Sequence, residues 1–88
     1  MQNKYFVYIP KKPRKSVIKI PQPWQKRILD VLTALETNPF LGEKMHADMA
    51  DRRKIVIWPY RIIYEIHEKE KKIKIFAIGH RQGVYKKL

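Results

Sequence analysis

The chain predicts an α+β domain: a first strand, one or two helices, then three consecutive strands in a small, mostly antiparallel sheet. Three observations carry this. Apolar residues recur at helical spacing between the prolines at 23 and 39. Three segments rich in β-branched and aromatic residues follow, at 54–58, 60–67 and 72–78. The last two are separated only by Glu68-Lys69-Glu70-Lys71, a charged hairpin link. Strands grouped after the helices, rather than alternating with them, indicate α+β.

Lys4-Tyr5-Phe6-Val7-Tyr8-Ile9 reads as the first strand and stops at Pro10. Lys11 to Ile20 admits two readings. One is a short basic helix with Pro13 in its first turn, where proline is tolerated; the other is an irregular arm. The spacing predicts an amphipathic helix over residues 23–37. Pro23 suits its first position, Trp24, Ile28, Leu32 and Leu35 form the apolar face with Leu29 and Val31, and Asn38-Pro39 ends it. Gln25, Lys26, Asp30, Thr33 and Glu36 face away. Phe40 to Asp51 is a connector; Pro59 breaks the first strand of the final three from the second, and Gly79 ends the last. No internal repeat is present, so residues 1–88 form one domain with a small core.

Charge is unevenly placed. The net value is +12, with eight Lys/Arg and no acid in residues 1–29, five acids and one Lys in 30–51, and eleven Lys/Arg with three Glu in 52–88. If the two basic ends meet, they form a positive surface suited to a polyanion, with salt-sensitive binding. A solvated lysine-rich surface or an acidic protein partner remains open at this point. There is no cysteine, which excludes disulfides and thiolate metal sites. No apolar run approaches the roughly 20 residues of a membrane span and no signal-peptide core begins the chain, so a soluble, cytoplasmic protein without membrane contact is expected.

Alternation then places the chemistry. Tyr60, Ile62, Tyr64 and Ile66 share the face that would cover the helix, leaving Arg61, Ile63, Glu65 and His67 on the other. A turn near residue 69 or 70 pairs positions summing to about 139 or 140, so residue 78 or 79 faces Arg61 and Arg81 follows beside it. Two guanidiniums this close repel unless an anion lies between them, and phosphate fits that place with forked hydrogen bonds. His80 is a candidate proton carrier. Tyr85 is a candidate base-stacking or phenolic acid–base group, and Lys54 a third cation. Each also has a plain structural reading: an ion pair for Arg61, an exposed loop histidine, a tail tyrosine packed on the sheet. Trp24 and Trp58 read as core or rim packing rather than stacking platforms. His46 and His67 have no partner pattern. No metal-ligand spacing, P-loop, GxGxxG or nucleophile elbow is present, so no cofactor is expected.

Four strings resemble a known family in their order and spacing: Ile20-Pro21 with Gln25-Lys26-Arg27-Ile28-Leu29, Asn38-Pro39-Phe40, Tyr60-Arg61-Ile62-Ile63-Tyr64-Glu65-Ile66, and Ile78-Gly79-His80-Arg81 with Val84-Tyr85-Lys86. They are similar to the RelE/ParE superfamily of toxins from bacterial and archaeal type II toxin–antitoxin pairs, over nearly the whole chain. The resemblance implies a RelE-like fold and a ribosome-dependent mRNA endonuclease. Such an enzyme cuts message in the A site by turning the RNA 2′-OH onto the adjacent phosphate, without metal. It further implies that Arg61 and Arg81 stabilise the phosphorane and that Lys54 assists. Tyr85 would orient or deprotonate the 2′-OH or stack on the substrate, and His80 would act as acid or base. The implied partners are a cognate antitoxin, the ribosome with its mRNA, and operator DNA indirectly through the antitoxin complex. The chain departs from many relatives at Val56, where a basic residue is common, and at Trp58-Pro59, where Gly-Asp is common. The ParE branch shares the fold, inhibits DNA gyrase and lacks the nuclease constellation. A gyrase inhibitor or an inactive basic nucleic-acid-binding module are therefore the alternatives.

Overall fold

The computed structural model describes residues 4–46 and 51–84. Strand β1 (Phe6–Tyr8) leads into helices α1 (Lys11–Ile18) and α2 (Trp24–Ala34). Strands β2 (Glu43–Lys44), β3 (Arg52–Ile57), β4 (Tyr60–His67) and β5 (Lys72–His80) follow. The sheet order is β1-β5-β4-β3-β2, with β1 parallel to β5 and every other pair antiparallel. The α+β expectation and its mostly antiparallel sheet hold, and the short β2 adds a strand that the connector's turn residues concealed.

The segment after Pro10 is a helix rather than an irregular arm. It buries Pro13 and Val17 and leaves its lysines in solvent. The second helix is shorter than its apolar periodicity predicts. Pro23 caps it instead of opening it, and Leu35 is its C-cap. Beyond that point the chain tightens: the Glu36 and Thr37 amides donate to carbonyls three residues back, at Thr33 and Ala34. Leu35 nevertheless stays fully buried.

One face of the sheet carries the main core. Ile28 and Leu35 from the α2 region pack on Ile62, Tyr64, Ile73, Ile75 and Ile78, all with no exposed surface. Each such burial contributes about 1.5–3 kcal/mol. Tyr64 also has a polar task. Its hydroxyl accepts the Gly42 amide and donates to the Pro39 carbonyl, both at 2.8 Å, which clamps the connector to the sheet. Arg53 adds a hydrogen bond to the Gly42 carbonyl at 2.7 Å. Gly42 sits so close to the sheet that an added Cβ would lie 2.7 Å from the Lys54 carbonyl oxygen.

The β4–β5 hairpin turns through a single 3-10 turn at Glu68–Glu70, with Lys71 in the left-handed region at φ 51°. From there pairs sum to 139 as far as Tyr64 opposite Ile75, and to 140 from Ile63 opposite Ala77 onward. Phe76 is the extra residue of a β-bulge. As a result Phe76 and Ala77 both join Ile63 on the face opposite the helices, while Ile78 returns to the main core.

Candidate functional site: the open face of the sheet

The face turned away from the helices is set by strand parity. Arg61 pairs with Gly79 on one side and Val56 on the other, and Lys54 pairs with Ile63. All of these therefore belong to the open face. The hairpin ladder continues one step past its last pair: the Arg81 amide donates to the Pro59 carbonyl at 2.8 Å. Arg81 thus lies two residues beyond Gly79, about 7 Å of strand from the position facing Arg61. This is the juxtaposition that the hairpin arithmetic predicts, and the two sums it allowed are the registers on either side of the bulge.

Arg61 is half-buried and its Nε is fully enclosed, so its guanidinium is set by packing. Lys54 is also partly buried, with Nζ 3.9 Å from Glu43 Oε1 on β2. Arg81 is exposed, and its guanidinium lies 4.5 Å above the centre of the Trp58 indole. Arg81 lies toward the β3–β4 turn end of this face, with Arg61 between it and Lys54 farther along the sheet, and cations so arrayed can grip an anion and stabilise charge that develops on it.

His80 is placed differently. It pairs with Tyr60, whose ring packs against the main core, and the two rings meet edge-on at 5.9 Å. Trp24 extends this aromatic row, 6.1 Å from Tyr60. The His80 ring therefore stands with the helix side of the sheet, whereas Arg61 occupies the opposite face. Its Nδ1 accepts the Gln82 amide at 3.3 Å, which in the neutral ring leaves the proton on Nε2. Tyr85, the remaining member of the expected constellation, lies outside the described residues.

Three features of this face escape sequence reading. Val84 is fully buried against Ile63 and Ala77, so the tail after β5 folds back over the open face instead of leaving it. Its spacing from Gly79 carries no periodic signal that would have exposed this. Further along, Arg52 and Lys74 both lie over the Phe76 ring, at 3.9 and 5.0 Å. Glu65, which faces both basic residues in register, pairs with His67 at 2.8 Å.

Among the described residues, no helix is long and apolar enough to cross a membrane. Solved structures share the architecture. The toxin–antitoxin complex RelBE2 from Mycobacterium tuberculosis superposes with a TM-score of 0.78 at 20% identity, covering 89% of this chain and 99% of that one. The isolated RelE toxin of E. coli gives 0.74 at 18% identity, over 86% and 83%. An archaeal RelE–RelB complex from Pyrococcus horikoshii gives 0.71 at 25% identity, over 89% and 96%. No curated protein sequence matches the chain. The sequence model of the ParE toxin of the type II toxin–antitoxin system parDE, however, matches residues 11–85. With a RelE-like fold and a family match across most of its length, the chain belongs to the ParE toxin family and is a toxin of a type II toxin–antitoxin system.

Proposed function

We propose that this toxin is a metal-independent endoribonuclease that cleaves mRNA on the ribosome. One observation supports the reading: the β4–β5 register, extended by the Arg81–Pro59 hydrogen bond, brings Arg81 to the turn-side neighbourhood of Arg61 on the open face, with Lys54 two residues along β3 from the partner of Arg61. In the proposed reaction the RNA 2′-oxygen bonds to the adjacent phosphorus and the bond to the 5′ oxygen breaks. The 2′ proton passes to a base, and the leaving oxygen takes a proton from solvent. Arg61 and Arg81 offset the charge on the phosphorane, and Lys54 adds to the field. Tyr85 is the base carried over from the family resemblance. His80 is exposed, but it pairs with Tyr60 on the side of the sheet away from Arg61, so it is left out of the clamp.

A cognate antitoxin of the kind bound in the RelB-containing neighbours is the natural inhibitor. The groove between α1 and α2, about 300 Å³ and lined by Ile9, Val17, Ile18, Leu29 and Leu32, offers it an apolar seat. Ribosome and operator contacts follow from the same reading, the latter through the antitoxin.

Primer extension on programmed ribosomes tests the activity. Arg81→Ala abolishes cleavage while antitoxin binding and thermal unfolding stay as in the wild type; full cleavage by that variant refutes the assignment. Gyrase inhibition is the second reading, favoured by the family that matches. Inhibited supercoiling by the purified protein, with translation extracts unaffected, would establish it instead.

A further inference from the structure

Trp58 is the feature that the open-face cations leave unexplained. It occupies the two-residue turn between β3 and β4, where Ile57 and Tyr60 close the hairpin, and the residue remains 61% exposed. An indole is a large apolar surface to leave in water, and it makes no part of either core cluster. What it does touch is Arg81, whose guanidinium lies 4.5 Å above the ring. The Arg81 amide is tied to the Pro59 carbonyl at 2.8 Å, so turn and tail are held together on both sides of that contact. One indole face is thus covered by a cation of the proposed phosphate clamp, and the large remaining exposure leaves the ring open from elsewhere.

We infer that Trp58 is a stacking platform for a nucleobase, placed by Arg81 next to the phosphate that Arg81 and Arg61 hold. The inference rests on the nuclease reading and assigns the site a specificity element. A π-face accepts any base and strengthens binding by roughly tenfold or more per base. The neighbouring guanidinium adds a contact to the same nucleotide's phosphate. Trp58 therefore selects for an unstacked, single-stranded nucleotide over a paired one, since a base within a duplex offers no free face. Its geometry is independent of proton transfer, so binding reports it without turnover.

Equilibrium binding of a short 2′-O-methyl oligoribonucleotide, which lacks the attacking hydroxyl, provides the test. Each base in turn is replaced by an abasic position. At one position the replacement weakens binding to the wild type at least fivefold, does the same for Trp58→Phe, and has no effect on Trp58→Ala. Equal sensitivity of wild type and Trp58→Ala at every position, or no binding of the oligonucleotide at all, overturns the inference. Because Trp58 is exposed and outside both cores, its truncation leaves the fold in place, and a thermal melt of each variant verifies this. Cleavage on ribosomes, measured in parallel, separates the two claims. Base discrimination through Trp58 without cleavage removes only the nuclease reading. Cleavage with no Trp58-dependent discrimination removes only the platform.

Discussion

One hydroxyl couples Tyr64 to Gly42: the Gly42 amide donates to it at 2.8 Å while it donates in turn to Pro39. Tyr64→Phe leaves a buried N–H and a buried carbonyl without that partner, at a cost of about 1–3 kcal/mol in urea unfolding. The pH dependence has a definite sign. Burial raises the Tyr64 pKa above its ordinary value, outweighing the opposing Gly42 hydrogen bond and the Arg53 charge. A raised pKa means that the fold favours the neutral phenol. The contribution is intact below about pH 10 and drains away as pH rises beyond it. The wild type's advantage over Tyr64→Phe therefore shrinks at alkaline pH. All other groups are common to both proteins and cancel in this difference, and a constant gap would sink the prediction.

Gly42→Ala probes the same clamp from the other side. An added methyl meets the Lys54 backbone oxygen at 2.7 Å and the Tyr64 ring at 2.9 Å, neither of which is a flexible side-chain end. Destabilisation of about 1–3 kcal/mol is expected in chemical denaturation, with no change in the hairpin site.

Opposite faces assign opposite sensitivities to Arg61 and His80. Arg61→Ala lowers cleavage roughly 100- to 1,000-fold, the loss typical of a charge-stabilising donor. His80→Gln, whose ring lies against Tyr60, lowers it less than about tenfold, below the usual contribution of a general acid or base. Single-turnover rates for the pair check this, and an inversion of the two effects would return His80 to the chemistry.

Val84 anchors the tail. Val84→Ala removes buried surface against Ile63 and Ala77 and costs about 2 kcal/mol. Its signature is local: faster amide exchange across residues 81–84 and weaker cleavage, with protection in β3 and β4 retained. Uniform loss of protection would mean that the tail is part of the global core.

Glu43→Gln tests the weakest contact. The pair with Lys54 spans 3.9 Å and the Glu43 side chain is 71% exposed, so stability changes by less than about 0.5 kcal/mol. RNA binding strengthens modestly at low salt as a negative charge leaves the open face, an effect that fades at high salt.

Much of this molecule was legible because two periods were clean. Helical spacing in Trp24, Ile28 and Leu32 and strand alternation in Tyr60 to His67 placed the core, and a short charged link fixed the hairpin register to within one residue. The side that His80 takes hangs on which of the two sums applies, since position 80 faces Tyr60 only once the sum is 140, and the bulge that sets this sum has no mark in the sequence. Other features have no local signature. The two-residue β2 depends on pairing with β3, the return of Val84 depends on an apolar spot formed by Ile63 and Ala77, and helix α2 stops where tighter turns take over.

The bulge at Phe76 carries a consequence for how such a toxin diversifies. Were β5 regular, Ala77 would occupy the interior place now filled by Ile78, and His80 would take the side that Arg81 holds. What prevents this is bulk, since an isoleucine fills that interior place better than an alanine. The size ranking of two neighbouring aliphatic residues thus bears on whether an imidazole or a guanidinium stands on the Arg61 side of the sheet. Exchanging the side chains at positions 77 and 78 would therefore favour the regular register without touching a single ionisable residue.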